Sequence, residues 1–489
     1  MKNVSDVTTQ KGTFGDDNLF LRGFQTGTLF RNGFRMDGPG SPQGQQFANV
    51  ERIEVLKGPA AILYGRVEPG GMVNIITKQP LATPYYSLTR QFGSYDLYRT
   101  SLDATGPLTN DETLLYRFNM SYQNSGSFRD PVSNEDIFLA PILKWNISPR
   151  TQATLEMEYL HKLSNIDNQF LPLDGNRVIN LPPSRNLGER NQLKTENIFV
   201  GFNWSHQFND DWLIKHQMFF KRQNDNSDGY TFPSNIRLGD REVDRFLVRG
   251  NFTANTVANI LDLTGHFKTW GLEHTLLLGG DYYYFDFPQD LVFGSISPIN
   301  IDHPVHGAPG VFDPSSRSQF SQTANNYGLY LQDQITLPYH VHVMGGLRYQ
   351  NMHMTNKSAG ADGVFTPGDP QTDHAVTPRV GLLWQPQNWL SLYSNYAENF
   401  GANNGCGFGN KPLPPQSAQQ WEVGAKSEFF DGRLSATLAY YNLTKQNVAT
   451  TDPAHLFECG GGPCLLAVGE ARSKGPELEI PLNPPAMSW

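Results

Sequence analysis

The sequence predicts an all-β fold, a transmembrane antiparallel β-barrel preceded by an N-terminal region of a different kind, and three observations lead there. From about Pro84 onward, runs of some ten residues alternate apolar and polar positions and are separated by turn residues, the period of a strand with two unlike faces. Short turns such as Asp431-Gly432 alternate with long polar connections, the asymmetry of a barrel whose two rims face different compartments. The 489 residues are only 17% charged but 12% aromatic, where a soluble domain is about a quarter charged. No window approaches the roughly 18 consecutive apolar residues of a spanning helix, which excludes helical channels and transporters.

Charge and cysteine content narrow the class further. A net charge of -9 with no Lys/Arg run argues against a nucleic-acid partner, because phosphate neutralisation needs a basic face. Three cysteines exclude a disulfide scaffold; Cys459 and Cys464, in a Gly-rich stretch, fit at most one loop bridge in an oxidising compartment.

In chain order, Met1 to Gly12 has no apolar core or small-residue cleavage site, so no signal peptide is expected and the start reads as internal. Residues 20–78 form a different region, rich in glycine and short strand-like runs. Beyond it, Leu114, Tyr116, Phe118, Met120 and Tyr122 make one row and Leu115, Arg117, Asn119 and Ser121 the other. Val341, Val343, Leu347 and Tyr349 alternate likewise with His342, Arg348 and Gln350, and Leu434, Ala436, Leu438 and Tyr440 with Arg433, Ser435 and Thr437. Roughly sixteen such strands are expected, with long loops near 164–190, 224–240, 286–321, 354–373, 401–416 and 448–467. Tyr282 to Phe285 and Trp389, Tyr393, Tyr396 and Phe400 read as rings at a lipid-water boundary. At the other end, Pro484-Pro485 forbids a ladder, so a chain truncated at both ends is expected.

The segments FLRGFQTGTLFRNGFRMDG and VERIEVLKGPAAILYGRVEPGGMVNIITKQP closely resemble the plug signature of TonB-dependent outer-membrane receptors, most of all the ferric-siderophore, hydroxamate-type branch. SLTRQFGSYDLYRTSLDATGPL, GLEHTLLLGGDYYY, QWEVGAKSEFFDGRLSATLAYYNLTKQNV and GEARSKGPELEI are similar to barrel strands of that family in its own order. The resemblance implies a 22-stranded barrel of which the last strands are missing, leaving an open sheet, with residues 1–83 as the C-terminal part of an α+β plug domain and 84–489 as the barrel. It implies ferric-siderophore uptake across a Gram-negative outer membrane, energised by TonB, with lipid around the wall, iron arriving as a chelate and no cofactor or protein metal site. A receptor for cobalamin or a glycan, a passive porin and a non-functional fragment are the alternatives, and the plug motif argues against the porin.

Particular residues follow. Gly58, Gly65, Gly70 and Gly71 suit close backbone approach, and Pro59 and Pro69 fix bends. Alternation places Trp421, Val423 and Ala425 outward and so turns Glu422 inward; Leu478 and Ile480 do the same for Glu477. Similar receptors tie plug to wall by ion pairs at these positions, which makes Arg22 and Lys57 the implied partners. Gly27, Thr28, Ser41 and Phe47, on apex-like turns, are the implied ligand contacts. In the relatives' architecture Cys459 and Cys464 would lie outside and could pair. No G-x-S-x-G, H-E-x-x-H or P-loop occurs, so no enzyme is expected; His340, His342, His303 and His306 read as wall and loop residues.

Overall fold

A computed structural model of the chain describes all residues except 1–6, 12–16, 27–28, 37–45, 59–69, 166–172, 175–176, 238, 240, 402, 404–405, 410, 431, 457, 460–462 and 482–489. Sixteen long antiparallel strands, from Tyr85–Gly93 to Leu465–Glu479, form one barrel sheet. Each pairs with the next in sequence, as Leu114–Ser125 does with Ser133–Ser148 and Gln416–Phe429 with Leu434–Thr451. The strand order is circular, with Leu465–Glu479 beside Tyr85–Gly93. An open sheet was the expectation; a sheet that turns back on itself hides edge groups that would each cost several kcal/mol in lipid.

The wall is polar inside and apolar outside. Trp421 is 42% exposed and its neighbour Glu422 8%; Leu478 is 59% and Glu477 7%. The same alternation buries Leu115, Arg117, Asn119 and Ser121. Outward rings gather in two belts. Tyr327 with Tyr349 and Trp421 with Tyr440, at centroid distances of 6.4 and 5.7 Å, form one. Trp389 with Phe429 at 5.5 Å, and the exposed Trp270 and Tyr339, form the other at the short turns. Of the rings expected at these belts, Tyr283, Phe285 and Tyr393 face the lumen instead: Tyr283 is buried, Phe285 packs on the cluster that holds it, and Tyr393 donates to Glu422. Strict alternation divides any aromatic run between the two faces.

Two expected loops are largely strand. Trp212–Arg237, Glu242–Thr269 and Leu272–Asn300 run 26, 28 and 29 residues, about 90 Å at full extension, against an apolar band about 25 Å tall. They continue past the membrane as paired ribbons because their polar residues still find ladder partners, Thr231 with Leu247 and Phe246 with Ser295 among them. Residues 177–191 dock on the ribbon tips, where Leu187, Val243, Ile299 and Ile301 form a buried cluster.

Every regular element among the described residues of the N-terminal region is a strand, where an α+β domain is the expectation. Val7–Lys11, Asp17–Leu21 and Phe24–Thr26 make one sheet, and Phe34–Met36, Leu29–Arg31, Gly71–Thr77 and Val50–Lys57 a second, in that order. Two successive hairpins turn on Arg22-Gly23 and Asn32-Gly33, both residues of each pair having positive φ, the two-residue turn that suits twisted strands. Residues 78–84 connect the last strand of this region to the barrel.

Candidate functional site

The first hairpin aims Arg22 at the wall. Arginine at φ 49° sits where a Cβ costs on the order of 1 kcal/mol, a conformation that persists only when the surroundings over-determine it. They do so here. Its Nη2 donates to Glu422 at 2.7 Å and to Glu477 at 2.5 Å, its Nη1 donates to Gln420 at 3.0 Å, and its guanidinium lies 4.1 Å from the Tyr441 ring centroid. Burial weakens the cation, and the carboxylates of Glu477 and Glu422 more than offset it, so the Arg22 pKa stands above its ordinary value. Lys57 reaches Glu477 at 3.2 Å and Glu479 at 2.5 Å. The structure thus places Arg22, Lys57, Glu422 and Glu477 in one cluster, to which Glu479, Gln420 and Tyr441 are additions.

Glycines bring these parts close. A Cβ at Gly71, φ +136°, would lie 2.2 Å from the Leu56 carbonyl oxygen, and one at Gly70 2.1 Å from that of Leu21. At Gly58 it would meet the Gln420 amide at 2.6 Å. Gly65, Pro59 and Pro69 lie outside the described residues.

A second tie was not anticipated from the sequence. Arg31, next to the second hairpin turn, pairs with Glu156 at 2.9 Å and Glu158 at 3.0 Å and lies over Phe199 at 4.1 Å. Asn49 donates to Glu158, Gln46 to Asp136 at 2.7 Å, and Lys78 to Asp103 at 2.9 Å. The signal was available: Leu155, Met157 and Tyr159 are an outward row, so Glu156 and Glu158 had to face inward by the rule that turned Glu422. Beyond Arg31, Phe34 packs edge-on against Phe219 at 4.9 Å, within a cluster of Phe199, Ala258 and Tyr283.

The N-terminal sheets therefore stand inside the barrel, bonded to wall strands from both ends of the chain. Of the expected ligand contacts, Gly27, Thr28 and Ser41 lie outside the described residues, and Phe47 is 56% exposed. Between the second sheet and the wall is a polar cavity of about 590 Å³ bordered by Asn32, Asn74, Lys144, Gln217 and Asp262. A smaller one of about 50 Å³ is bordered by Phe34, Arg35, Tyr283 and Arg348.

At the long-loop end, Cys459 and Cys464 are joined by a disulfide with Cα atoms 5.0 Å apart. Four residues before the bridge, His455 stacks on Phe408 of the preceding loop at 3.7 Å and bonds Asp452 at 2.8 Å. That His455 bond holds the Asp452 carboxyl below its ordinary range.

Comparison with known proteins agrees with this architecture. Residues 1–72 match the TonB-dependent receptor plug domain and residues 143–489 the TonB-dependent receptor-like β-barrel. The metal-pseudopaline receptor CntO of Pseudomonas aeruginosa is 32% identical over 448 residues, covering 88% of this chain and 61% of that protein. The ferrioxamine B receptor of Salmonella typhimurium is 27% identical over 482 residues, covering 95% and 66%. This chain thus spans about three fifths to two thirds of the length of these relatives. The fold of the pyoverdine outer membrane receptor FpvA of Pseudomonas aeruginosa superposes with a TM-score of 0.84 at 22% identity, over 97% of this chain and 70% of that one. The siderophore receptor PiuA of Acinetobacter baumannii gives 0.83 at 20%, over 96% and 71%. With an apolar-faced barrel, a sheet domain tied into its lumen, and family matches to both parts, the chain belongs to the TonB-dependent receptors, whose barrel is characteristic of the Gram-negative outer membrane.

Proposed function

We propose that this chain is the plug-and-barrel portion of a receptor that takes up a metal-loaded chelate, a ferric siderophore, across the outer membrane with energy from TonB. The observation that carries the reading is the plug tied into the lumen by Arg22 and Arg31 to inward carboxylates. A wide lumen must be filled to prevent leakage, and a filler held by ion pairs to a wet polar wall is releasable, whereas one held by an apolar core is not. Relatives named as ferrioxamine, ferrichrome and ferripyoverdine receptors support the cargo class. Gly27, Thr28, Ser41 and Phe47 remain the proposed ligand contacts. A compact chelate whose metal is already coordinated asks for backbone donors and aromatic faces; the metal is cargo, so neither a resident cofactor nor a protein metal site is part of the reading. Lipid covers the apolar wall, and nucleic acid has no role.

The similarity to a metal-pseudopaline receptor favours a second reading, in which the chelated metal is not confined to iron. Titration of tryptophan fluorescence separates the two. Iron-loaded hydroxamate binding more tightly than the iron-free compound supports the first reading; equal affinity for chelates of divalent metals supports the second. Selective binding of cobalamin or a glycan would overturn both.

A further inference from the structure

The two cavities touch the same two residues, Gly33 of the second hairpin turn and Ile260 of the wall. Ile260 packs on the cluster that holds Phe34, so the hairpin tip is what separates the cavities. The wall behind it has an unusual row. Lys215, Asp262, Gly279, Tyr330 and Arg348 are successive register partners across five adjacent strands, a lateral span of about 19 Å at strand spacing. Lys215 is three residues from its short-turn end at Trp212, Arg348 seven from Val341, so the row climbs from the larger cavity to the smaller one.

Glycines let this row lie flat. Tyr330 donates to Asp262 at 2.5 Å across Gly279, where a Cβ would sit 2.3 Å from the Tyr330 ring. Arg348, 1% exposed, donates to both oxygens of Asp281 at 2.7 and 2.9 Å across Gly328, where a Cβ would sit 2.2 Å from its Nη2. Side chains that would otherwise project into the lumen are held against its wall. Ion pairs of Lys78, Arg31 and Arg22 reach other strands, carrying Asp103, Glu156, Glu422 and Glu477, and the hairpin tip packs on this arc with the ring of Phe34 and with Arg35, 5.3 Å over Tyr283.

We propose that the arc Lys215–Asp262–Tyr330–Arg348 is the fixed wall of a hydrophilic route from the lumen to the short-turn end, and that the Asn32-Gly33-Phe34 tip is its gate. The route takes polar, hydrogen-bonding solute. It rests on the uptake reading for the identity of its cargo but not for its geometry. Displacing Phe34 joins the two cavities while Arg22 and Lys57 keep their carboxylates, so the gate opens without release of the whole plug.

Planar-bilayer recording on the whole chain tests this without any chelate. Phe34→Ala is expected to raise ionic conductance above the parent. In that background Lys215→Glu shifts the reversal potential under a KCl gradient towards cation selectivity, and a sulfonate thiol reagent reduces the current of Gln217→Cys. The same reagent leaves Ala397→Cys, on the opposite arc, unaffected. If Phe34→Ala fails to insert, Phe34→Leu carries the same readouts. A conductance unchanged by the Phe34 substitution, or a raised current indifferent to both Lys215→Glu and the modified Gln217→Cys, would overturn the proposal. Failure of the uptake reading looks different: the currents respond as stated while no metal chelate binds.

Discussion

Removing the two carboxylates around Arg22 tests whether they hold the plug. Two cations, Arg22 and Lys57, face three carboxylates, Glu422, Glu477 and Glu479. Glu422→Ala leaves Arg22 with Glu477 and Gln420, and Glu477→Ala leaves it with Glu422 while Lys57 keeps Glu479. Each single change therefore loses about one or two charged hydrogen bonds, about 2 kcal/mol. The double variant leaves a buried arginine facing only an amide and the Tyr441 ring, the stranded-charge case, for which about 3–5 kcal/mol is typical of one broken pair. Its total should exceed the sum of the singles by about 1 kcal/mol or more, the sign of shared partners. Urea titration read by proteolysis of the plug measures all three, and leakage of small hydrophilic antibiotics reports the same loosening in membranes. Additive effects within about 0.5 kcal/mol, or an unchanged midpoint with no leak, would show that these carboxylates are merely hydrated and tie nothing.

Arg31→Ala should destabilise plug seating by about 3–5 kcal/mol, since Glu156 and Glu158 lose a buried partner; Arg52→Ala, on a side chain 60% exposed, should stay within about 0.5 kcal/mol in the same titration. Gly71→Ala should cost more than about 1 kcal/mol, because neither its φ nor the Leu56 carbonyl leaves room for a methyl group; a thermal melt equal to the parent's would contradict this. Alkylation before and after reduction should find Cys459 and Cys464 protected until reduced, and closing so short a loop should contribute at most about 2 kcal/mol. The Asp452 carboxyl has its folded pKa depressed below 3.8 by His455, so the contribution of that contact is complete above the ordinary value and lost as pH falls through the depressed one. Limited proteolysis of residues 452–464 should accordingly be constant from pH 7 to 5 and quicken only in stronger acid; quickening already near neutrality would refute the role given to the Asp452 carboxyl.

Much of this architecture was legible without coordinates because a strand's period is a property of the backbone. Once Trp421, Val423 and Leu478 are read as outward, Glu422 and Glu477 have no choice of face, and about sixteen strands follow; the plug at the N-terminus was legible through the resemblance of its segments to the family signature. The limits of the ribbons were not legible: Asn224 to Ser227 looks like loop, and only the partner strand at 250–253 makes it ladder. Nor were the partners of Arg31, or the circular order of the strands. Arg22 and Glu477 are 455 positions apart, and which inward carboxylate meets which cation depends on how deep the plug sits, a balance of many weak contacts summed over the whole lumen. The flat wall row is of the same kind, since Gly279 and Gly328 acquire their meaning only when Tyr330 and Arg348 on neighbouring strands lie across them. Alternation assigns each residue a side; the closure of the barrel around the plug decides what it meets there.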